Sequence, residues 1–245
     1  MRRKSFGNAA GFSLVELMIA MAVTLAMMTL ASRALMECFN VRTRQDARAD
    51  TIADVQRALN VISREVASAG YGLTNGNNGI VGCNAAGACD STASAIRVRS
   101  NINRFDSAPT DATTSQANED VKYFLNDSAN TRYLVRYDAN VGGGKATVLA
   151  NRITALQFHY FDRRVAYTTL SYDPATPNAS LLTNVRNSTG AAQAEVAPNL
   201  AKYVVIAVVV RLPAVGKPDT PGYHPASNEM LVTDVALRNN DMDNY

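Results

Sequence analysis

The stretch Gly11-Phe12-Ser13-Leu14-Val15-Glu16 decides how this chain is organised. It opens a run in which every residue from Phe12 to Ser32 is apolar or small and uncharged, with the exception of Glu16. As a helix rising ~1.5 Å per residue, this run is long enough to cross the ~30 Å hydrocarbon core of a bilayer. A charge in a membrane helix costs on the order of 2–3 kcal/mol even on the mildest insertion scale. Glu16 is therefore a candidate functional residue that needs a cationic partner.

A basic leader precedes the apolar run and predicts its orientation. Its three cations keep the N-terminus in the cytoplasm, so the chain after Arg33 is expected on the far side of the membrane. The apolar run is too long for an ordinary cleaved secretory signal and lacks a small-residue exit site. The sequence therefore predicts that the hydrophobic helix remains in the mature protein. The leader cations are Arg2, Arg3 and Lys4.

A cut after Gly11 would supply the missing cation. Phe12 would then carry a free amine four residues before Glu16. In a helical assembly, the amine of one subunit can pair with Glu16 of its neighbour and neutralise both charges in a medium of low dielectric constant.

The composition describes one membrane helix followed by a folded domain. The chain has 245 residues, of which 18% are charged and 47% hydrophobic, which is typical of a domain with its own core. Three of the 24 basic residues lie in the leader, and none of the 21 acidic residues does. Without the leader, basic and acidic residues are equal in number, so bulk charge gives no reason to expect a polyanionic partner.

The helical pattern continues beyond the membrane segment. Apolar residues at alternating steps of three and four predict one stripe along a helix that runs from about Phe12 to Ala69 and stops at Gly70. Two helices with a break between residues 42 and 48 are the alternative. The stripe consists of Ile52, Val55, Leu59, Ile62, Val66 and Ala69.

The rest of the chain predicts a largely antiparallel sheet, so the fold class is α+β. The run 203–212 is nearly all β-branched and is predicted to be a central strand buried on both faces. Residues 142–144 are glycines and predict a hairpin turn, while residues 171–198 are interpreted as a surface loop. The predicted strands cover residues 96–99, 121–126, 133–137, 147–149, 153–161, 203–212 and 230–237.

The cysteines indicate a small pinned loop. Cys83 and Cys89 flank a short polar segment, where a disulfide is favoured over free thiols. A metal site there would lack ligands, because no histidine lies nearby. Cys38 is expected to be unpaired, at the point where the helix leaves the bilayer.

No catalytic motif is found, and the sequence indicates neither an enzyme, nor a cofactor, nor a small-molecule substrate. His159 lies in a strand-like aromatic run and is interpreted as structural, and His224 lies in a proline-flanked loop without a nucleophile. Arginines beside tyrosines could form a surface that binds single-stranded nucleic acid. A solvated sheet face whose charges balance is the favoured interpretation. These arginines are Arg97, Arg99, Arg104, Arg132, Arg136, Arg152, Arg163 and Arg164.

The N-terminal segment resembles the type IV prepilin family, whose members carry a class III signal peptide. The resemblance rests on the basic leader, Gly11, Phe12, residues 13–15, Glu16 and residues 17–20. It implies that a prepilin peptidase cleaves between Gly11 and Phe12 and methylates the new amine. It also implies a pilin-like fold, with a leader at 1–11, a long helix at 12–69 that spans the membrane at 12–32, and a β-rich head domain at 70–245.

Residues 54–71 are similar to the helix end of PilW-type minor pilins, and several segments of the sheet domain resemble that subfamily more loosely. J-type pseudopilins of type II secretion share much of this architecture. The resemblance implies a minor pilin that starts pilus assembly or sits at the pilus tip. Its partners would be major and minor pilins, the prepilin peptidase, and the inner membrane with its assembly platform. A J-type pseudopilin and a membrane-anchored periplasmic binding domain that never polymerises remain the alternatives. One departure is that many major pilins carry a proline within the apolar helix, where this chain reads residues 29–33 without one.

This reading places the protein in the inner membrane as a single-pass chain with a cytoplasmic N-terminus and a periplasmic C-terminal domain. From there it would pass into the extracellular pilus.

Overall fold

The computed structural model describes residues 13–73, 79–102, 114–128, 131–220 and 222–239. These residues form one long helix, nine strands and a short 3-10 helix at Pro198–Leu200. The α+β prediction is confirmed. The elements are α1 (Leu14–Ala67), β1 (Ala95–Arg99), β2 (Asp120–Ser128), β3 (Thr131–Asp138), β4 (Lys145–Asn151), β5 (Ile153–Phe161), β6 (Ala166–Thr169), β7 (Leu182–Arg186), β8 (Tyr203–Leu212) and β9 (Ser227–Ala236).

Helix α1 is continuous from Leu14 to Ala67, so the alternative of two helices broken between residues 42 and 48 is wrong. The backbone N–H of Leu17 donates to the carbonyl of Ser13, which opens the first turn. The helix ends two residues before the predicted end. The turn after it is tighter, since the N–H of Ala69 donates to the carbonyl of Val66. Gly70 then takes a φ of 80°, a left-handed conformation that glycine adopts without a steric penalty.

The predicted apolar stripe is the buried face of α1, with small differences. Its buried residues are Thr51, Val55, Ala58, Leu59, Ile62 and Val66. Ile52, which the periodicity also predicts, is only half-buried, and Thr51 takes the inner position with its hydroxyl donating to the carbonyl of Ala47 at 2.7 Å. That bond satisfies a polar group that burial would otherwise leave unpaired.

The strands form three separate antiparallel sheets where the sequence predicts one. The first sheet has the order β1-β2-β3-β4, the second β5-β8-β9, and the third β6-β7. Strand β8 is central in its sheet and almost wholly buried, as predicted. The chain passes from the first sheet to the second through Arg152 alone, whose φ of 60° makes a sharp corner. A corner made by a single residue leaves no pattern of apolar residues, so nothing in the sequence indicated that the strands divide into separate sheets.

Strand β8 is buried on both faces because each face packs on a different layer. Val204 and Ile206 join the cluster that contains the buried stripe of α1. Tyr203 and Val205 pack instead with Val165 and residues of the β6–β7 hairpin. Strand β5 has the same two-sided burial, which explains why its apolar residues alternate poorly in the sequence.

The prediction of a surface loop over residues 171–198 is wrong in part. Residues 182–186 form β7, which pairs with β6, and Leu181 and Leu182 are buried against the second sheet. The side chain of Gln157 holds this segment down, accepting from the N–H of Leu181 at 2.9 Å and donating to the carbonyl of Ala179 at 2.7 Å. The strand has too few apolar residues to show an alternating pattern, so only the contacts with β5 and β8 reveal it.

The chain divides into two compact units, and α1 contributes to both. Of the described residues, those up to Asp46 and those in Ala214–Pro225 form one unit, and those in Ala47–Pro213 and from Ala226 onward form the other.

Candidate functional site: the exposed N-terminal helix

The apolar run of α1, from Leu14 to Ser32, is exposed along its whole length in the described part of the chain. No residue of α1 before Thr51 is buried, and the most apolar window of 18 residues has a mean hydropathy of 2.1. By length and composition the helix can cross a membrane. Large apolar side chains exposed over half or more of their surface point outward in every direction: Leu14, Val15, Leu17, Met18, Ile19, Met21, Val23, Leu25, Met27, Met28 and Leu30. A surface of this kind is stable only in lipid or against other helices.

Glu16 lies in the first turn of α1 and is exposed. Within the described part of the chain, no ion pair involves its carboxylate, and the next cation along the helix is Arg33, about 25 Å away at ~1.5 Å per residue. A partner in the apolar layer must therefore come from residues before Ser13 or from another chain. Gly11 and Phe12, the predicted cleavage and methylation sites, lie outside the described residues.

The spacing of Ser13 and Glu16 has a second physical meaning that the sequence reasoning missed. Ser13 stands at the N-cap of α1 and Glu16 three residues later, which is the arrangement of a capping box. In such a box, the glutamate accepts from the backbone N–H of the cap residue. A carboxylate in the first turn also interacts favourably with the helix dipole. A substitution at Glu16 can therefore act through the helix cap as well as through pairing between subunits, and an experiment has to separate the two effects.

Further along α1, a partly buried ion pair fastens the helix to the first sheet. The guanidinium of Arg136 on β3 donates from Nη2 to Oε1 of Glu65 at 2.9 Å, and its Nε lies 3.1 and 3.2 Å from the two carboxylate oxygens. The hydroxyl of Tyr123 on β2 donates to the same carboxylate. Burial, followed by the charge of Glu65, raises the pKa of Tyr123 far above its usual range. Burial alone would lower the pKa of Arg136, but the hydrogen bond and the charge of Glu65 raise it.

The candidate disulfide is present, since Cys83 and Cys89 are bonded across six positions. The side chain of Asn84 organises the loop between them by accepting from the N–H groups of Ala86 and Ala88 at 3.0 and 2.9 Å. Cys38 is free and exposed on α1. Within the described residues, no group of three or more His, Cys, Asp or Glu side chains is arranged to hold a metal ion.

Arginines of the first sheet are held by carboxylates. Arg97 donates to both oxygens of Asp120 at 2.6 and 2.8 Å and to Asp90 at 2.9 Å, while Arg99 reaches Asp120 at 2.9 Å. The hydrogen bonds that Arg97 donates to Asp120 are the main cause that raises the pKa of Arg97. Burial opposes the ionised form of Asp90, but Arg97 and Lys122 together lower its pKa. Arg104 lies outside the described residues. The interpretation of a charge-balanced face is favoured here, because these guanidinium groups already have their anions.

The two histidines occupy separate places in the structure. His159 on β5 is buried, with its Nδ1 2.6 Å from Oε1 of Glu195. His224 exchanges two backbone hydrogen bonds with Val215, each 2.9 Å long. Within the described residues, neither histidine forms a hydrogen bond with a Ser, Cys or Thr side chain, so the geometry brings together no nucleophile and base at these positions.

Comparison with known proteins agrees with the N-terminal geometry. Residues 7–32 match the family model described as the prokaryotic N-terminal methylation motif. No curated protein and no solved structure shows significant similarity to the chain. The motif supports the class of type IV pilin-like proteins, which includes the pseudopilins, and it implies processing by a prepilin peptidase and assembly with other pilins. The motif and the single apolar helix are consistent with a single-pass protein of the inner membrane.

Proposed function

We propose that this protein is a minor pilin of the PilW type, which helps to start assembly of a type IV pilus and sits at its tip. The observation that carries the proposal is Glu16, an exposed carboxylate in an exposed apolar helix, inside a methylation motif and about 25 Å from the next cation along α1. The resemblance of residues 54–71 to the helix end of PilW-type proteins supports the finer role. The role is structural and requires no cofactor, nucleic acid or small-molecule substrate.

The mechanism begins with removal of the leader. Cleavage after Gly11 creates the amine of Phe12, and prepilin peptidase methylates it. The cut also removes three cations that hold the chain on the cytoplasmic side and oppose its extraction from the membrane.

Pairing between subunits then aligns the helices. Glu16 of one subunit accepts the amine of Phe12 from a neighbour as both leave lipid for the core of the filament. Apolar contact changes little in this transfer, because lipid tails and neighbouring helices are similarly apolar. The charge pair therefore supplies the register of the subunits more than the affinity between them.

Two substitutions at Glu16 separate pairing from capping. Glu16→Gln keeps an oxygen that can cap the helix but removes the charge, whereas Glu16→Val removes both. We expect both variants to insert into the membrane at least as well as the parent. The fraction of each variant that enters filaments should fall about tenfold or more. The readout is the fraction of the protein in sheared filaments relative to the membrane fraction. Normal incorporation of Glu16→Gln would assign Glu16 to capping and contradict the pairing mechanism.

Processing is tested separately with Gly11→Asp. We expect a full-length band that does not shift when prepilin peptidase is co-expressed, while the parent chain loses its leader. Mass spectrometry of the parent should find a methylated Phe12 at the N-terminus. A mature chain that still begins at Met1 would remove the amine on which the mechanism depends.

The alternatives are separated by location and by partners. A tip subunit should be detected by antibody at the ends of sheared pili, whereas a membrane-anchored binding domain stays with the cells. Cross-linking followed by mass spectrometry should recover other pilins from the assembled fibre. Recovery of secretion-system pseudopilins instead would assign the chain to a type II secretion system.

A further inference from the structure

The segment Ala214–Pro225, which connects β8 with β9, lies against the part of α1 that leaves the apolar run. We call it the 214–225 hairpin, because Val215 and His224 form a short antiparallel bridge. Its base is held by Arg44, whose Nη1 donates to the carbonyl of Pro225 at 2.8 Å. The hairpin and residues up to Asp46 of α1 belong to the same compact unit.

Two glycines allow the hairpin to approach the helix closely. A Cβ atom at Gly222 would lie 3.1 Å from the Cα of Glu37 and 3.1 Å from Nδ2 of Asn40. A Cβ atom at Gly216 would lie 3.3 Å from the same Nδ2. Both glycines have a positive φ, of 78° and 86°. The backbone of the hairpin thus rests on the backbone of α1 at Gly222 and on the side chain of Asn40 at Gly216.

The order of these contacts gives the direction of the hairpin along the helix. Pro225 is next to Arg44, and Gly222 is next to Glu37, which is closer to the apolar run. The hairpin therefore extends from its base toward the membrane-spanning segment. Its turn is closed by the hydroxyl of Thr220, which donates to the carbonyl of Lys217 at 2.6 Å.

The depth of this contact follows from helix geometry. Ser32 is the last residue of the apolar run and Glu37 lies five residues later, which is ~7.5 Å along the helix axis. The headgroup layer on each side of a bilayer is about 5–8 Å thick. The contact at Glu37 therefore lies at the outer boundary of the headgroups. Arg44 lies ~18 Å beyond the apolar run, in water.

Two side chains of the hairpin suit this depth, although the same turn also carries the exposed carboxylate of Asp219. Lys217 is exposed, and its ammonium group can donate to phosphate oxygens. Tyr223 is half-buried, and tyrosine is enriched where a membrane meets water because its ring is apolar and its hydroxyl is polar.

We infer that the 214–225 hairpin binds phospholipid headgroups while the subunit is held in the membrane, with Lys217 on phosphate oxygens and Tyr223 in the headgroup layer. The hairpin is then a second attachment to the bilayer, on the opposite side from the leader. It must be released, as the leader must be removed, before the subunit is extracted. The inference rests on the membrane-spanning position of α1 and is independent of the pilus role.

The test uses the full chain in vesicles, with tryptophan as the reporter. The sequence contains no tryptophan, so Tyr223→Trp introduces a single fluorophore by a conservative change. Quenching is measured with phosphatidylcholine that carries a nitroxide on its headgroup. Two further single-tryptophan variants calibrate depth on the exposed surface of α1. Met36→Trp lies ~6 Å beyond the apolar run and Gln45→Trp lies ~20 Å beyond it.

We expect quenching of the tryptophan at position 223 to be about equal to that at position 36 and about twofold stronger than that at position 45. Quenching equal to that at position 45 would overturn the proposal. The measurement is repeated at two lipid-to-protein ratios that differ tenfold. Quenching that is weak at the lower lipid-to-protein ratio and rises as the protein becomes dilute would indicate that a second copy of the chain covers the hairpin in the membrane, and would also overturn the proposal.

A charge reversal tests the role of Lys217. In the Tyr223→Trp background, Lys217→Glu should weaken quenching in vesicles that contain phosphatidylglycerol, where an acidic residue is repelled by the surface. Lys145→Glu, at an exposed lysine of β4, makes the same change in net charge and should have no effect. Equal quenching in both variants would overturn the assignment of Lys217 to the headgroups.

Discussion

Substitution of Arg136 is the most direct test of how α1 is fastened to the sheet domain. Arg136→Met removes the cation from a cluster in which the carboxylate of Glu65 also accepts from the hydroxyl of Tyr123. Methionine retains most of the apolar stem, so the change removes charge and hydrogen bonds with little loss of packing. The carboxylate is then left largely desolvated, with one neutral donor.

The expected magnitude follows from the burial of the pair. The side chain of Arg136 is 14% exposed and that of Glu65 is 20% exposed. Loss of one partner from a fully buried pair costs about 3–5 kcal/mol, and an exposed pair contributes less than about 1 kcal/mol. For a pair with this exposure, we expect Arg136→Met to lower the free energy of unfolding by ~2–3 kcal/mol. The double variant with Glu65→Gln should lose only ~1 kcal/mol, because no unpaired charge remains and an acceptor for Tyr123 is kept.

The assay is urea unfolding of the full chain in detergent micelles, followed by tyrosine circular dichroism at neutral pH. Arg57→Met is the matched control, because Arg57 pairs with Asp54 on the solvent side of the same helix, where the two side chains are 77% and 49% exposed. We expect this control to change the free energy of unfolding by less than ~0.5 kcal/mol. The reasoning is refuted if Arg136→Met and Arg57→Met are equivalent, or if the double variant is no more stable than Arg136→Met alone.

Two further predictions concern the stability of the sheet domain. Burial raises the pKa of Tyr160 and of Tyr123 well above the ordinary value, so the folded chain keeps protons that the unfolded chain loses near pH ~10. These two tyrosines should therefore leave the free energy of unfolding unchanged below about pH 9 and lower it above about pH 10. Urea midpoints between pH 8 and 11 measure this fall. An equally large fall in a Tyr160→Phe variant would contradict the prediction. Gly79→Ala should destabilise the domain by more than ~2 kcal/mol, because φ at Gly79 is 77° and a Cβ atom would lie 1.9 Å from the nitrogen of Gly70. Gly142→Ala, with nothing within 4 Å, is its control, and the same urea midpoint for both variants would show that the close approach is not required.

Local patterns predicted an element well where its burial is regular along the chain, on one face of α1 and on both faces of β8. The stripe from Val55 to Val66 and the continuous apolar run of β8 both depend on nearest neighbours in the sequence. Strand β7 was missed because its burial comes from Gln157 and from the second sheet, neither of which leaves a period in the residues 182–186. The division into three sheets was missed for a similar reason, because a single residue, Arg152, makes the corner.

The functional residues show the same difference between features set by neighbours in the sequence and features set by distant contacts. Glu16 is evident from sequence because its environment, an apolar helix, is made of its immediate neighbours. The partner of Arg136 cannot be identified from the sequence, because Glu65 lies 71 positions away and reaches Arg136 only once α1 has packed on β3. The pairing of Arg97 with Asp120 likewise depends on the register between β1 and β2.

The amino-acid sequence by itself determined the apolar run at the N-terminus, the single acidic residue Glu16 within it, and seven of the nine strands, because each depends on hydropathy over a short stretch of chain. Only the tertiary structure decided which carboxylate each arginine meets, how the strands divide among sheets, and that the 214–225 hairpin rests on Glu37 and Asn40. Those contacts join residues tens to more than a hundred positions apart, and their geometry exists only after the chain has folded back on itself.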